Sequence, residues 1–130
     1  MTRGFLLRYK ALVVVAVLGT IVAVGAQMMK QPLVRIAELE IDPGQLPAYK
    51  DALKEEVAAS IRVEPGVLKL YAVSVRGQPS QIRILEVYRD QAAYESHLQT
   101  SHFKKYKAET QAMVKSLKLI EAEPILLGEK

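Results

Sequence analysis

The sequence predicts an α+β domain of the ferredoxin-like kind, a βαββαβ chain with one four-stranded antiparallel sheet. Three observations predict it. Apolar residues alternate in four segments, they recur at helical spacing in two others, and turn residues separate the segments in that order. The chain has 130 residues, about one domain's worth. The domain is expected over residues 31–127, behind a leader over residues 1–26.

Leu33–Ile41 (LVRIAELEI) reads as the first strand, with Val34 and Ile36 on one face and Ala37, Leu39 and Ile41 on the other. Asp42-Pro43-Gly44 is a turn signal, and Pro47 suits a first helical turn, where its missing N–H costs little. Leu46, Tyr49, Leu53, Val57 and Ile61 then repeat at spacings of three and four, opposite Lys50, Asp51, Lys54 and Glu55. That is an amphipathic helix of about eighteen residues. Glu64-Pro65-Gly66 ends it, because the residue before a proline is pushed out of the helical region. Val67–Arg76 and Gln81–Arg89 read as a hairpin around a four-residue loop, Gly77–Ser80. Asp90 is a suitable N-cap for a helix through Leu98. A break near Thr100-Ser101 starts a second helical segment, His102–Val114, and Ser116–Ile125 is expected as the last strand.

The strands carry apolar residues on both faces: Leu68, Leu70 and Ala72 alternate with Val67, Tyr71 and Val73, and Ile82 and Ile84 with Leu85 and Val87. Helices cover one face of such a sheet, and a half-solvated antiparallel sheet should read apolar-in, polar-out. The second apolar face therefore predicts a homodimer joined sheet to sheet.

Ala11–Met29 holds no charge and follows Arg3, Arg8 and Lys10. A basic start, an apolar run and the small residues Val24-Gly25-Ala26 make a secretory leader cut before Gln27. The same 19 uncharged residues would also span a bilayer as an uncleaved anchor. Both readings carry the domain across the membrane, to a periplasmic or other extracytoplasmic place, with membrane contact only through residues 11–29. The net charge of +4 sits in that leader: from Gln27 on, 15 Lys and Arg face 14 Asp and Glu. No basic footprint marks the domain as a nucleic-acid binder. With no Cys there is no disulfide, thiolate metal site or Cys nucleophile. The serines lack a Gly-x-Ser-x-Gly elbow, and no Gly-rich phosphate loop is present.

The two histidines are the residues most suited to chemistry, since imidazole titrates near neutrality without special help. On a continuous helix, the five-residue step from His97 to His102 would turn the rings about 140° apart. They do not form the i,i+4 pair of a helical metal site, there is no third His, and only Glu86 on the neighbouring strand offers a carboxylate. No metal is expected. The histidines read either as poised bases lining a pocket or as capping and core residues that donate to backbone carbonyls. Glu86 needs a partner or a proton if covered, with Arg35, Arg62 and Arg83 as possible mates. Tyr71, Tyr88 and Tyr106 either stack on a flat ligand or belong to the core. Lys104, Lys105 and Lys107 read as a solvated helix face.

Three blocks, Glu64-Pro65-Gly66, Leu85-Glu86-Val87-Tyr88-Arg89-Asp90, and Tyr94 with His97-Leu98 and His102-Phe103, together resemble the antibiotic biosynthesis monooxygenase domain family. The resemblance runs from about Leu33 to Pro124. It implies ferredoxin-like monomers paired into a dimeric α+β barrel. Members of the family include quinol and anthrone oxygenases that use dioxygen without metal or flavin, haem-degrading enzymes and an isomerase. The Asn and Trp of the polyketide-type and haem-degrading members are absent; His97 stands where the latter have Trp, and Lys107 where they have their ligating His. The pattern matches the quinol-monooxygenase-like branch, with His97 or His102 as base and Glu86 orienting the imidazole. Tyr71, Phe103 and Tyr106 would line the substrate site. The resemblance thus implies a monooxygenase of a small phenolic substrate, with dioxygen as co-substrate and no cofactor, and the leader makes it an exported one. The alternative is a non-catalytic barrel that binds a small ligand or serves as a scaffold in the cell envelope.

Overall fold

The computed structural model describes residues 31–128 and 130. The expected leader lies outside the described residues, and no helix within them is long and apolar enough to cross a membrane. Strand β1 is Leu33–Ile41, helix α1 Leu46–Val63, strand β2 Val67–Val75, strand β3 Gln78–Tyr88, helix α2 Gln91–Gln99, helix α3 Ser101–Thr110 and strand β4 Val114–Ala122. The sheet order is β2-β3-β1-β4, with every neighbouring pair antiparallel. This is the expected ferredoxin-like α+β domain, its second helix broken in two.

The core lies between the sheet and α1. Ala37, Leu39 and Ile41 of β1 and Ile82 and Ile84 of β3 pack there against Tyr49 and Leu53. The chain enters α1 through Asp42, whose Oδ1 accepts from Gly44 N–H at 2.9 Å, and a short 3₁₀ turn over Pro43–Gln45. The buried stripe of α1 then departs from the expected one. It runs Tyr49, Leu53, Glu56, Ser60, while Ile61 is 51% exposed. Spacings of four and three, continued, carry two polar residues inward in the second half of the helix, and the reason lies in the site described below.

Three boundaries differ from expectation. The hairpin turns on Arg76-Gly77, with Gly77 at φ 81°, so Gln78 already pairs with Val75. Pro79 then falls where the β2–β3 pairing shifts, a position that asks for no ladder N–H. Helix α3 stops at Thr110, because the Met113 N–H bonds to the Thr110 carbonyl at 2.8 Å and the Met113 carbonyl accepts from Asp42 N–H at 2.8 Å. Strand β4 ends at Ala122, before Pro124, which cannot donate to a ladder.

The second apolar face is present. Tyr71, Leu85, Ile36 and Ile120 lie side by side in one row across all four strands, on the face away from the helices. In that row Tyr71 is 65% exposed, and Val73 beside it is exposed too.

The Glu64-Pro65-Gly66 corner fixes how α2 docks. Arg89 N–H donates to the Gly66 carbonyl at 2.8 Å, and a Cβ on Gly66 would lie 2.5 Å from the Cβ of Ala93. Ala93 is buried in α2 beside Val67 and Tyr88 and has no flexible end to move away. Gly66→Ala is therefore expected to destabilise the domain by about 1–3 kcal/mol, the usual cost of overpacking. Urea unfolding of the two proteins measures it, and an unchanged midpoint would contradict the close approach.

Candidate functional site

Pro65 holds Glu64 in extended backbone (φ −108°, ψ 100°), at the C-terminal cap of α1. The carboxylate is thereby turned from the helix axis toward α2 and α3. There the break at Thr100 decides the outcome. The Thr100 backbone is extended, its hydroxyl donates to the His97 carbonyl at 2.8 Å and accepts from Phe103 N–H at 3.3 Å, and a new helix starts. The break swings His102 back toward His97, and the two ring centroids lie 6.4 Å apart. Both imidazoles bond the same oxygen of Glu64: His97 through Nδ1 at 2.9 Å and His102 through Nε2 at 2.6 Å. They bond a carboxylate, not the backbone carbonyls that a capping role predicts.

Burial works to raise the Glu64 pKa, but hydrogen bonds from His102, His97 and Ser60 outweigh it and the group ends below its ordinary value. Glu64 is therefore ionised near neutrality and accepts only, so both ring nitrogens facing it are donors. In neutral His97 this leaves the lone pair on Nε2. That nitrogen faces the Oε1 of Glu56 at 3.5 Å, and the same oxygen accepts from the Ser60 hydroxyl at 2.7 Å. Glu56 and Ser60, the polar half of the α1 stripe, thus form the wall opposite His97.

His97 is 3% exposed and borders a cavity of about 350 Å³ between the sheet and the helices. Ala37, Leu39, Leu53, Ile84, Phe103 and Tyr106 give it apolar walls; Glu56, Glu86 and Tyr88 join His97 at its polar end. It reaches the surface beside Leu117 and Leu119 of β4, which line it and are themselves exposed. The Phe103 ring lies 4.8 Å from the imidazole and the Tyr88 ring 5.4 Å. Tyr106 lines the cavity with its hydroxyl 2.8 Å from that of Tyr49. Burial raises the pKa of Tyr49, Tyr88 and Tyr106 alike, so these phenols stay protonated.

His97, Phe103 and Tyr106 are thus brought together at the cavity, with Glu86 a few residues along its wall. Glu86 does not orient the imidazole, however; Glu64 does, and Glu86 accepts from the Tyr88 hydroxyl at 3.2 Å. Its neighbour across β1 is Arg35, whereas Arg83 faces the other side of the sheet with Glu38 and Arg62 is exposed. Burial pushes the Glu86 carboxyl up, against the opposing pull of Tyr88, His97 and Arg35. His102 borders a separate small void between α1 and α3, not the cavity. Tyr71 does not reach the imidazole at all: its place in the strand pairing puts it on the opposite face of the sheet, because the bulge after Val67 fixes which residues of β2 point inward.

The sequence reading missed Glu56, Ser60 and Glu64. Their signal is the run Tyr49, Leu53, Glu56, Ser60, Glu64, which stays on one helical face with the apolar residues that precede it.

A ferredoxin-like sheet with a broken second helix, and a cavity bordered by an imidazole on a fixed carboxylate, defines the class: a small α+β domain with an internal cavity. The antibiotic biosynthesis monooxygenase family model matches residues 32–109, and the chain belongs to that family. It is similar to an assigned antibiotic biosynthesis monooxygenase from Bacteroides thetaiotaomicron VPI-5482, with 50% identity and a TM-score of 0.74 over 77% of this chain and 95% of that one. A Pseudomonas aeruginosa protein shares 30% identity, with a TM-score of 0.70 over 75% of this chain and 98% of its own. A Lactobacillus acidophilus NCFM protein assigned as a monooxygenase shares 29%, with a TM-score of 0.67; 70% of this chain spans 45% of that longer one. No curated protein matches the chain.

The raised Glu86 pKa sets a pH dependence of stability. A carboxyl whose folded pKa exceeds its unfolded one binds its proton more tightly when folded. Stability then falls as pH rises through the unfolded and then the folded value. Glu86→Gln keeps an acceptor for Tyr88 and removes the charge. It is expected to raise the melting temperature at pH 7–8, with the gain vanishing toward pH 4. A gain that is the same at both pH values would contradict a cost of burying the charge.

Proposed function

We propose that this protein is a dimeric monooxygenase of a quinol or similar phenol, using dioxygen as co-substrate and no cofactor. The observation that carries the reading is the pairing of His97 with Glu64 at the polar end of an otherwise apolar cavity. A flat phenol fits between the sheet and Phe103, its hydroxyl toward Nε2 of His97. That nitrogen takes the phenolic proton, and Glu64 balances the imidazolium that results. The bound phenolate then gives one electron to dioxygen, and the resulting phenoxyl radical and superoxide join as a peroxide at a ring carbon bearing hydrogen. Cleavage of the O–O bond with loss of that hydrogen releases water and leaves a new carbonyl oxygen. One quinol and one dioxygen thus give one hydroxyquinone and one water. Apolar walls exclude water from the anion and the peroxide, and Glu86 and Tyr88 supply polar contacts for a second oxygen of the substrate.

Oxygen uptake with menadiol, above the protein-free rate, tests the reading. His97→Ala is expected to lower it by about 10²–10⁴-fold, the usual worth of a positioned base. Glu64→Gln keeps the bond to the ring but withdraws the charge, and is expected to lower kcat more than it changes KM. Unchanged turnover in both variants would remove the pair from the mechanism.

The second copy is read from the apolar row Tyr71, Leu85, Ile36 and Ile120, for which the cheapest cover is the same row of another chain. A location outside the cytoplasm is supported by the composition of the leader alone, a basic start followed by an uncharged apolar run. In analytical ultracentrifugation the domain is expected as a dimer at micromolar concentration, and Tyr71→Asp as a monomer. A wild-type domain that sediments only as monomer would overturn the sheet-to-sheet assembly.

A further inference from the structure

Glu56, His97 and His102 each present a donor atom, and the three atoms lie within 4.8 Å of one another. They come from three helices, and the first two are buried. Oε1 of Glu56 and Nε2 of His97 stand 3.5 Å apart. That is long for a hydrogen bond. It is close to the edge of a tetrahedron whose metal–ligand bonds are about 2.0–2.1 Å. Behind His97, Glu64 receives Nδ1–H, which is how an outer carboxylate orients a metal-ligating imidazole.

We infer that Glu56, His97 and His102 form a binding site for a divalent first-row transition-metal ion. Two imidazoles and one carboxylate, without sulfur, suit zinc or iron(II), whereas calcium and magnesium take oxygen ligands. His102 exchanges its bond to Glu64 for one to the ion, and Glu64 keeps its bond to His97. Three protein ligands leave a fourth position, and it faces the cavity that Glu56 and His97 line. Occupancy takes the Nε2 lone pair of His97. The site therefore excludes the proton transfer proposed above, and the metal switches that reaction off. Only this last consequence rests on the monooxygenase reading; the site itself rests on the geometry.

The test uses the tag-free full chain in mild detergent, stripped with EDTA and titrated with Co²⁺, as wild type, Glu56→Gln and His102→Gln. One Co²⁺ per chain is expected in the wild type, with the visible absorption of a four- or five-coordinate ion that Zn²⁺ abolishes. Each substitution is expected to weaken binding by at least about 10–100-fold, the usual cost of losing even an outer partner of a ligand. Thermal unfolding gives an independent readout: Zn²⁺ raises the wild-type Tm by mass action, and raises it less in each variant, however stable the variant is alone. Binding weaker than about 1 mM in the wild type overturns the proposal. So does Co²⁺ affinity or Zn²⁺ stabilisation left unchanged by both substitutions. The titration needs no substrate, so the two readings fail separately. Co²⁺ binding without menadiol turnover upholds the site and removes the oxygenase. Turnover that a saturating Zn²⁺ concentration leaves unaffected removes the switch and upholds the oxygenase.

Discussion

One carboxylate oxygen holds the functional half of this molecule together. The Oε2 of Glu64 accepts from His97 and from His102, so it joins the end of α1 to both parts of the broken helix. Each piece of local backbone around it serves that junction. Pro65 keeps Glu64 out of the helix, Gly66 lets α2 approach to within a methyl group's distance, and Thr100 caps α3 so that its first turn faces back. A buried carboxylate bonded to two imidazoles is not a source of net stability, because desolvating its charge costs about what the hydrogen bonds return. Its effect is positional: two rings that a straight helix would point apart are fixed on one atom.

The electrostatics of the cavity follow from that arrangement. Three carboxylates, Glu56, Glu64 and Glu86, surround His97, but they are not equivalent. Glu64 is held down by the donors that face it, and Glu86, with one phenol donor, is pushed up by burial. Groups displaced in opposite directions within one pocket divide the work: a fixed negative charge for an imidazolium, and a carboxyl that more readily carries a proton. The tyrosines stay neutral and act through their rings and O–H groups. The polar end therefore sets an imidazole nitrogen, a counter-charge and a phenolic donor around one cavity.

Much of this was legible before any coordinates. Period-two and period-three-to-four patterns, with Pro65, Asp90 and Pro47 at their ends, located every element, because hydrophobic spacing and backbone stereochemistry act locally. The expected break at Thr100 is real, and it is what brings His102 to His97. Less legible was whatever depends on tertiary contact. The expected helical stripe holds through Val57, which packs on the core, but not to Ile61, which is exposed; α1 turns Glu56 and Ser60 inward to meet the imidazoles instead. The assignment of Glu86 as the partner of His97 followed from strand adjacency, whereas the nearer carboxylate arrives from a corner 33 residues upstream. Tyr71 was assigned to the site on aromatic character alone; a single bulge after Val67 sets its face, and no propensity reads a bulge.

The identity of the carboxylate behind an imidazole does not by itself separate a base from a metal ligand, since both need Nδ1–H held and Nε2 free. What stands in front of Nε2 separates them. A base needs open space there for a substrate proton; a ligand set needs further donors at bonding distance from a common point. Here the space in front of His97 has both, because Glu56 closes one side and the cavity opens on the other. The Ser60 hydroxyl holds Oε1 of Glu56 in place, so the carboxylate cannot swing into the cavity without losing a buried bond. That bond leaves the apolar side free for a flat ring and keeps the carboxylate within an ion's reach of the imidazole. The reaction and the ion site proposed above both draw on that one lone pair, and the bond from Ser60 on α1 fixes the carboxylate beside it.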